Sequence, residues 1–209
     1  MADDPIDFWF TMGSTYSYLS VMRIGELEQS TGIRFRWRPF HLLVLLQEMK
    51  HVPFADKPAK CAYMWRDIER RATMYGLAVS VPAPYPAKQS ILANLVATVG
   101  MRQGWGPDFV RAAYRRWLQL GQETGSEPNV SESLREIGQE PRSVLALADA
   151  ADTTSALMAE TDSPKDLAFS ARLRSSWEVN SFGAMIVSRM RSVGTGTAAW
   201  GISPTPQML

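Results

Sequence analysis

Cysteine is nearly missing from this chain: Cys61 is the single thiol in 209 residues, and histidine is limited to His41 and His51. One thiol cannot close an internal disulfide or supply a Cys-x-x-Cys pair, which excludes dithiol redox chemistry within one chain. Two histidines lying apart from carboxylate motifs offer no metal site, so no metal is expected. Neither sign of charge is in excess, since 22 Lys and Arg oppose 21 Asp and Glu for a net charge of +1. That balance removes the electrostatic footprint needed for nucleic acid or an anionic membrane and favours a small-molecule ligand. No window of about twenty residues is apolar enough to span a bilayer. The opening Met1-Ala2-Asp3-Asp4-Pro5 is acidic and lacks the charged-then-apolar pattern of a secretory signal, so a cytoplasmic location is expected.

What the sequence does contain is apolar bulk: 45% hydrophobic residues, with 7 Trp and 11 Met. That suffices for one substantial core, and the length requires no second independent domain. Ile6, Phe8, Trp9 and Phe10, bounded by Pro5 and a Gly-containing turn, predict a short buried strand. The turn Thr11-Met12-Gly13-Ser14 leads into a helix from about Thr15, with Tyr18, Leu19, Met22 and Leu27 on one face and Thr31-Gly32 as its stop. Ile33 to Trp37 alternates apolar residues with Arg34 and Arg36, the period of a strand with one buried face. Residues 5–38 thus form a β-α-β unit with parallel pairing.

From about residue 40 to 160 the pattern turns helical, over Leu42 to Met49, Lys60 to Tyr75, Ser90 to Gln103, Pro107 to Gly121 and Ser131 to Ile137. Met64, Ile68, Ala72 and Tyr75 make a stripe of helical period that reads as ordinary core. Pro82-Ala83-Pro84-Tyr85-Pro86 is too rich in proline for a helix and is expected to be an extended connector, with Tyr85 a candidate to face a ligand. Lys60 and Tyr63, at i and i+3, share a helix face and either form solvated surface or reach a ligand together. Cys61 has no histidine beside it and reads as a small buried or semi-buried residue.

Ser14, between a strand end and a helix start, is the leading site candidate. Free N–H groups there can stabilise a thiolate or other anion, while the simplest structural role for the serine is to cap the helix.

The run Asp7-Phe8-Trp9-Phe10-Thr11-Met12-Gly13-Ser14-Thr15-Tyr16-Ser17-Tyr18-Leu19 resembles the first strand, active-site turn and first helix of the 2-hydroxychromene-2-carboxylate isomerase family. That family is similar to kappa-class glutathione transferases and to DsbA-like proteins. Trp37-Arg38-Pro39-Phe40, Lys60-Cys61-Ala62-Tyr63-Met64-Trp65-Arg66-Asp67-Ile68 and Tyr75-Gly76-Leu77 extend the likeness. The resemblance implies an α/β, thioredoxin-like fold of the DsbA type with a large inserted helical subdomain. It implies glutathione as cofactor, a small substrate from aromatic catabolism and a homodimer. Ser14 would orient the glutathione thiolate, with Thr15, Lys60, Tyr63 and Tyr85 as binding residues. Thr15 stands where proline is most often found, and Lys88 where many relatives have asparagine.

Residues 163–209 depart from this pattern. Ser170-Ala171-Arg172-Leu173-Arg174-Ser175-Ser176 has no steady period, and Gly194 to Pro206 is rich in Gly, Thr, Ala and Pro, where the resemblance calls for a cis-proline loop, two strands and a last helix. Codons for Leu167 to Ser192, read from the third base of each, can spell Gly-Val-Phe-Gly-Ala-Pro-Thr-Phe-Val-Val-Gly-Gly-Glu-Leu-Phe-Trp-Gly-Asp-Asp-Arg-Leu-Ala-Asp-Ala-Leu. The glycine from Trp177-Glu178 and the second aspartate, from Met185-Ile186, are forced by the code. This is the motif the resemblance calls for. The expectation is a frameshifted C-terminal segment that disrupts the closing ββα part and leaves a noncatalytic or inactivated protein as the alternative to an active isomerase.

Overall fold

A computed structural model describes residues 5–48, 57–163 and 184–187. Met49, His51 and, apart from Ala184–Val187, everything from residue 164 onward lie outside the described residues, including most of the stretch with the shifted reading.

Strand β1 (Ile6–Phe10) pairs in parallel with β2 (Phe35–Pro39), from Ile6 opposite Phe35 to Phe10 opposite Pro39. Period-two alternation divides β1 between two faces. Phe8 and Phe10 are fully buried on one face and meet the Trp37 ring edge-on at 5.0 and 5.6 Å. Trp9 points the other way, into a smaller cluster with Phe40 and Leu45. Asp7 shares that second face and accepts from Arg38 Nε at 3.0 Å.

The connection between the strands is two helices, not the single one expected. α1 (Thr15–Val21) is capped by Met22, and α2 (Ile24–Thr31) starts after the single further residue Arg23. At the break the Arg23 N–H donates to Ser20 O, a tightened i−3 bond, and the guanidinium lies 3.7 Å from the centre of the Tyr75 ring. α2 stops where expected: Gly32 adopts φ 72°, a left-handed conformation that glycine takes without steric cost.

Among the described residues seven helices follow β2: α3 (Leu42–Glu48), α4 (Pro58–Met74), α5 (Ser90–Gln103), α6 (Gly106–Leu120), α7 (Asn129–Glu136), α8 (Pro141–Ala148) and α9 (Ala151–Asp162). Met64, Ile68 and Ala72 of α4 are buried in the main core together with α1, α5 and α6. The proline-rich connector carries no helix or strand, and Trp117 Nε1 anchors it by donating to Pro84 O at 2.8 Å. No helix among the described residues is long and apolar enough to cross a membrane.

α9 returns to the sheet. Arg38 bridges Asp7 and Glu160, and the His41 N–H donates to Thr161 Oγ1 at 2.9 Å. Burial pushes the His41 imidazole below its ordinary 6.5, an effect only partly offset by a backbone hydrogen bond. Protonation therefore favours the unfolded chain, so this contribution is constant above pH 6.5 and is lost as the pH falls. Between pH 7.5 and 5.5 the thermal midpoint is expected to drop, and to drop less in His41→Gln; equal slopes would exclude His41 as the cause.

On the other edge of β1, β3 (Ala184–Val187) pairs antiparallel, from Asp7 opposite Val187 to Phe10 opposite Ala184, giving the order β2-β1-β3 among the described residues.

Candidate functional site

β1 ends at Phe10, and the next four residues form a tight turn in which the Ser14 N–H donates to Thr11 O at 3.1 Å. Ser14 has extended backbone angles (φ −100°, ψ 122°), and its Oγ accepts from the Ser17 N–H at 3.4 Å as the cap of α1. That bond uses an oxygen lone pair, and a hydroxyl carries two such pairs and a separate hydrogen to donate. Capping and donation to an incoming anion are therefore compatible at one oxygen.

The inserted helices hold this turn from behind. Asn94 of α5 is buried; its Oδ1 accepts from the Met12 N–H at 2.9 Å and its Nδ2 donates to Thr11 Oγ1 at 3.4 Å. Tyr114 of α6 is fully buried, with its hydroxyl 2.6 Å from Thr11 O and 3.1 Å from Ser14 O. Burial drives its phenol far above the ordinary range, although a bond with the Ser17 side chain works in the opposite direction, so the hydroxyl keeps its proton. Gly13 lies against Ser90: a Cβ on Gly13 would sit 3.1 Å from Ser90 Cβ and Oγ. Behind Ser90 the packing is tighter still, because a Cβ on Gly125 (φ +81°) would fall 1.9 Å from Gln89 O, so only glycine fits.

The other residues singled out in the sequence are distributed around this turn. Thr15 is buried and donates to Met64 Sδ at 3.5 Å, so its hydroxyl is occupied within the core. Tyr16 donates to Asp67 Oδ2 at 3.0 Å, and Arg71 donates to the same oxygen at 2.8 Å, tying α1 to α4. Burial, then the Asp67 carboxylate, push the Tyr16 phenol well above its usual value, with a smaller contribution from nearby Tyr63. Lys60 and Tyr63 are both exposed on α4, Tyr63 by 61%. Tyr85 is half-buried with its ring edge-on to Trp65 at 5.8 Å. Its phenol is pushed up to about 12, by burial first and then by neighbouring Cys61. Cys61 is itself a free, half-buried thiol on α4. No hydrogen bond joins Lys60, Tyr63 or Tyr85 to Ser14 among the described contacts. The backbone N–H of exposed Lys88 donates to Glu123 at 2.5 Å. No group of His, Cys, Asp and Glu that could hold a metal occurs among the described residues.

Residues 5–169 match the DSBA-like thioredoxin domain, a span well over half of the chain. The chain belongs to that family. Two curated relatives are similar to part of the chain. Glutathione S-transferase kappa 1 of Caenorhabditis elegans is 27% identical over 119 residues, 55% of this chain and 53% of the relative. The 2-hydroxychromene-2-carboxylate isomerase of Sphingobium xenophagum is 29% identical over 122 residues, 56% of this chain and 59% of the relative. The chain thus spans little more than half the length of the curated relatives it matches. Among solved structures, a 2-hydroxychromene-2-carboxylate isomerase superposes with a TM-score of 0.68 at 19% identity, covering 81% of each chain. The DsbA-like α/β fold with an inserted helical subdomain, expected from the sequence, is the fold this protein has.

Proposed function

We propose that this DsbA-like protein is a glutathione-dependent isomerase or transferase of the 2-hydroxychromene-2-carboxylate isomerase type, with Ser14 as the residue that meets the glutathione sulfur. The observation that carries the reading is the Ser14 hydroxyl itself, which lies at the end of the turn after β1, accepts the Ser17 N–H and keeps a hydrogen to donate. A hydrogen bond to a thiolate stabilises its charged form and lowers its pKa. The kinship with a kappa-class transferase and an isomerase of that name supports glutathione as the co-reactant.

In the proposed reaction the bound thiolate adds to an electron-poor carbon of an unsaturated oxygen ring. A C–S bond forms and an electron pair passes into the conjugated system. The ring C–O bond opens, rotation follows about the bond left single, and the reverse step expels the thiolate. Atoms and oxidation states are unchanged overall, which suits a chain with one cysteine. Lys60 and Tyr63 on the exposed face of α4 would meet the carboxylates or hydroxyls of the ligands, and Tyr85 would form an aromatic wall with Trp65. Thr15, committed to Met64, would act only through its backbone. A cytoplasmic homodimer is part of this proposal. Millimolar glutathione is expected to raise the thermal midpoint, by about 2.7 kcal/mol of added stability at a hundredfold excess over Kd. No shift at that concentration would refute the glutathione reading.

A second reading is favoured by one observation: the family match ends at residue 169, just after the shifted motif begins at Leu167. On this reading the opposing half of the site, with its cis-proline, lies out of frame, and residues 163–209 as written leave a noncatalytic thioredoxin-fold protein. The DNA across codons 155 to 209 decides it: a natural gene whose codons cannot spell the motif would remove the frameshift.

A further inference from the structure

Two side chains from the inserted helices grip the backbone that presents Ser14. Asn94 lies 1% exposed on a helix that buries Ala93, Val96, Ala97 and Val99 beside it, where an amide is costly unless bonded. Both ends of that amide are used on the turn, one on the Met12 N–H and one on Thr11 Oγ1. Tyr114 packs its ring 6.3 Å from Tyr18 and 6.0 Å from Trp117, a space that phenylalanine would fill equally well. What the hydroxyl adds is contact with two carbonyls, those of Thr11 and Ser14, at the two ends of the turn. In each case the polar atoms contribute little to packing volume and a direct hold on residues 11–14.

We propose that Asn94 and Tyr114 are positioning residues: they fix the Thr11–Ser14 backbone and so aim the side chain at position 14. The relevance to catalysis rests on the thiolate reading above, whereas the aim of the side chain can be measured without glutathione. In a Cys61→Ser background, Ser14→Cys places a reporter thiol at the cap, and its pKa is read from thiolate ultraviolet absorbance against pH. With the turn held, the Ser17 N–H can donate to the sulfur, and the pKa is expected below the ordinary value of about 8.5. Adding Tyr114→Phe is expected to raise it by about one unit, a tenfold change in the thiolate ratio. Asn94→Leu should act in the same direction and carries the test if Tyr114→Phe does not fold.

Tyr18→Phe is the control. It removes another buried hydroxyl, bonded to Ala78 O and Gln119 with no bond to the turn, and should cost comparable stability while leaving the pKa unmoved. An unchanged pKa in the Tyr114 and Asn94 variants, or an equal shift in Tyr18→Phe, overturns the proposal. If the pKa shifts occur but the parent chain binds no glutathione, the positioning role stands and the glutathione reading falls. If glutathione binds but the pKa does not move, only the positioning role falls.

Discussion

A chain carrying the shifted-frame sequence from Leu167 onward is expected to unfold roughly 10 °C higher than the chain as written. As written, the edge of β1 is paired by the four residues Ala184–Val187. The shifted reading places Thr-Phe-Val-Val across Leu173 to Trp177 instead, and spells Asp-Asp-Arg where β3 now stands. A strand of that composition laid on β1 would bury a phenylalanine and a valine or two, each worth about 1.5–3 kcal/mol. After the entropy of ordering is subtracted, a net gain of roughly 4 kcal/mol is reasonable for the segment. For a chain near 200 residues each kcal/mol moves the midpoint by about 2–4 °C. Differential scanning calorimetry on both chains measures it. Glutathione-dependent turnover should also appear, since both halves of the site would then be present. An equal or lower midpoint for the shifted chain would mean that the written frame is the native one.

Ser14→Ala and Ser14→Gly are expected to separate the two roles of the serine. Loss of a hydrogen-bond donor aimed at developing charge costs roughly a hundredfold or more in turnover, and both variants lose the same donor. Capping behaves differently: alanine at a cap costs about 0.5–2 kcal/mol, glycine only a few tenths. Ser14 has φ −100° and ψ 122°, a conformation that glycine adopts freely. Equal loss of turnover with unequal loss of midpoint is therefore the expected signature. Should turnover instead follow the midpoint, Ser14 is a cap and nothing more.

The parts of the fold visible in the sequence are those where burial is written in apolar residues. The β1 tract, the alternation in β2 and the limits of α5 at Ser90 and Gln103 all follow from that rule. The break between α1 and α2 does not, because it is made by a backbone bond and by Arg23 lying over Tyr75, a residue some fifty positions away in the chain. α9 escapes an apolar count for another reason. Its buried stripe is Thr153, Leu157 and Thr161, and the threonine hydroxyls are satisfied on Leu147 O and Leu157 O, which lets them lie inside. The same blindness hid Asn94 and Tyr114. One signal was available: Asn94 is the single amide within the apolar run Ile91 to Val99, and an amide there is costly unless something specific receives it. Nothing local marks Tyr114, whose partners are backbone carbonyls brought to it by the fold.

The reach of Tyr114 across the chain also sets a timetable. Its carbonyl partner Thr11 precedes it by 103 residues. At about 5–20 residues per second of synthesis, roughly 5 to 20 s pass between the two leaving the ribosome's active centre. The serine turn is therefore among the first parts of the nascent chain to be made, yet Tyr114 can brace it only once more than half of the chain has been synthesised.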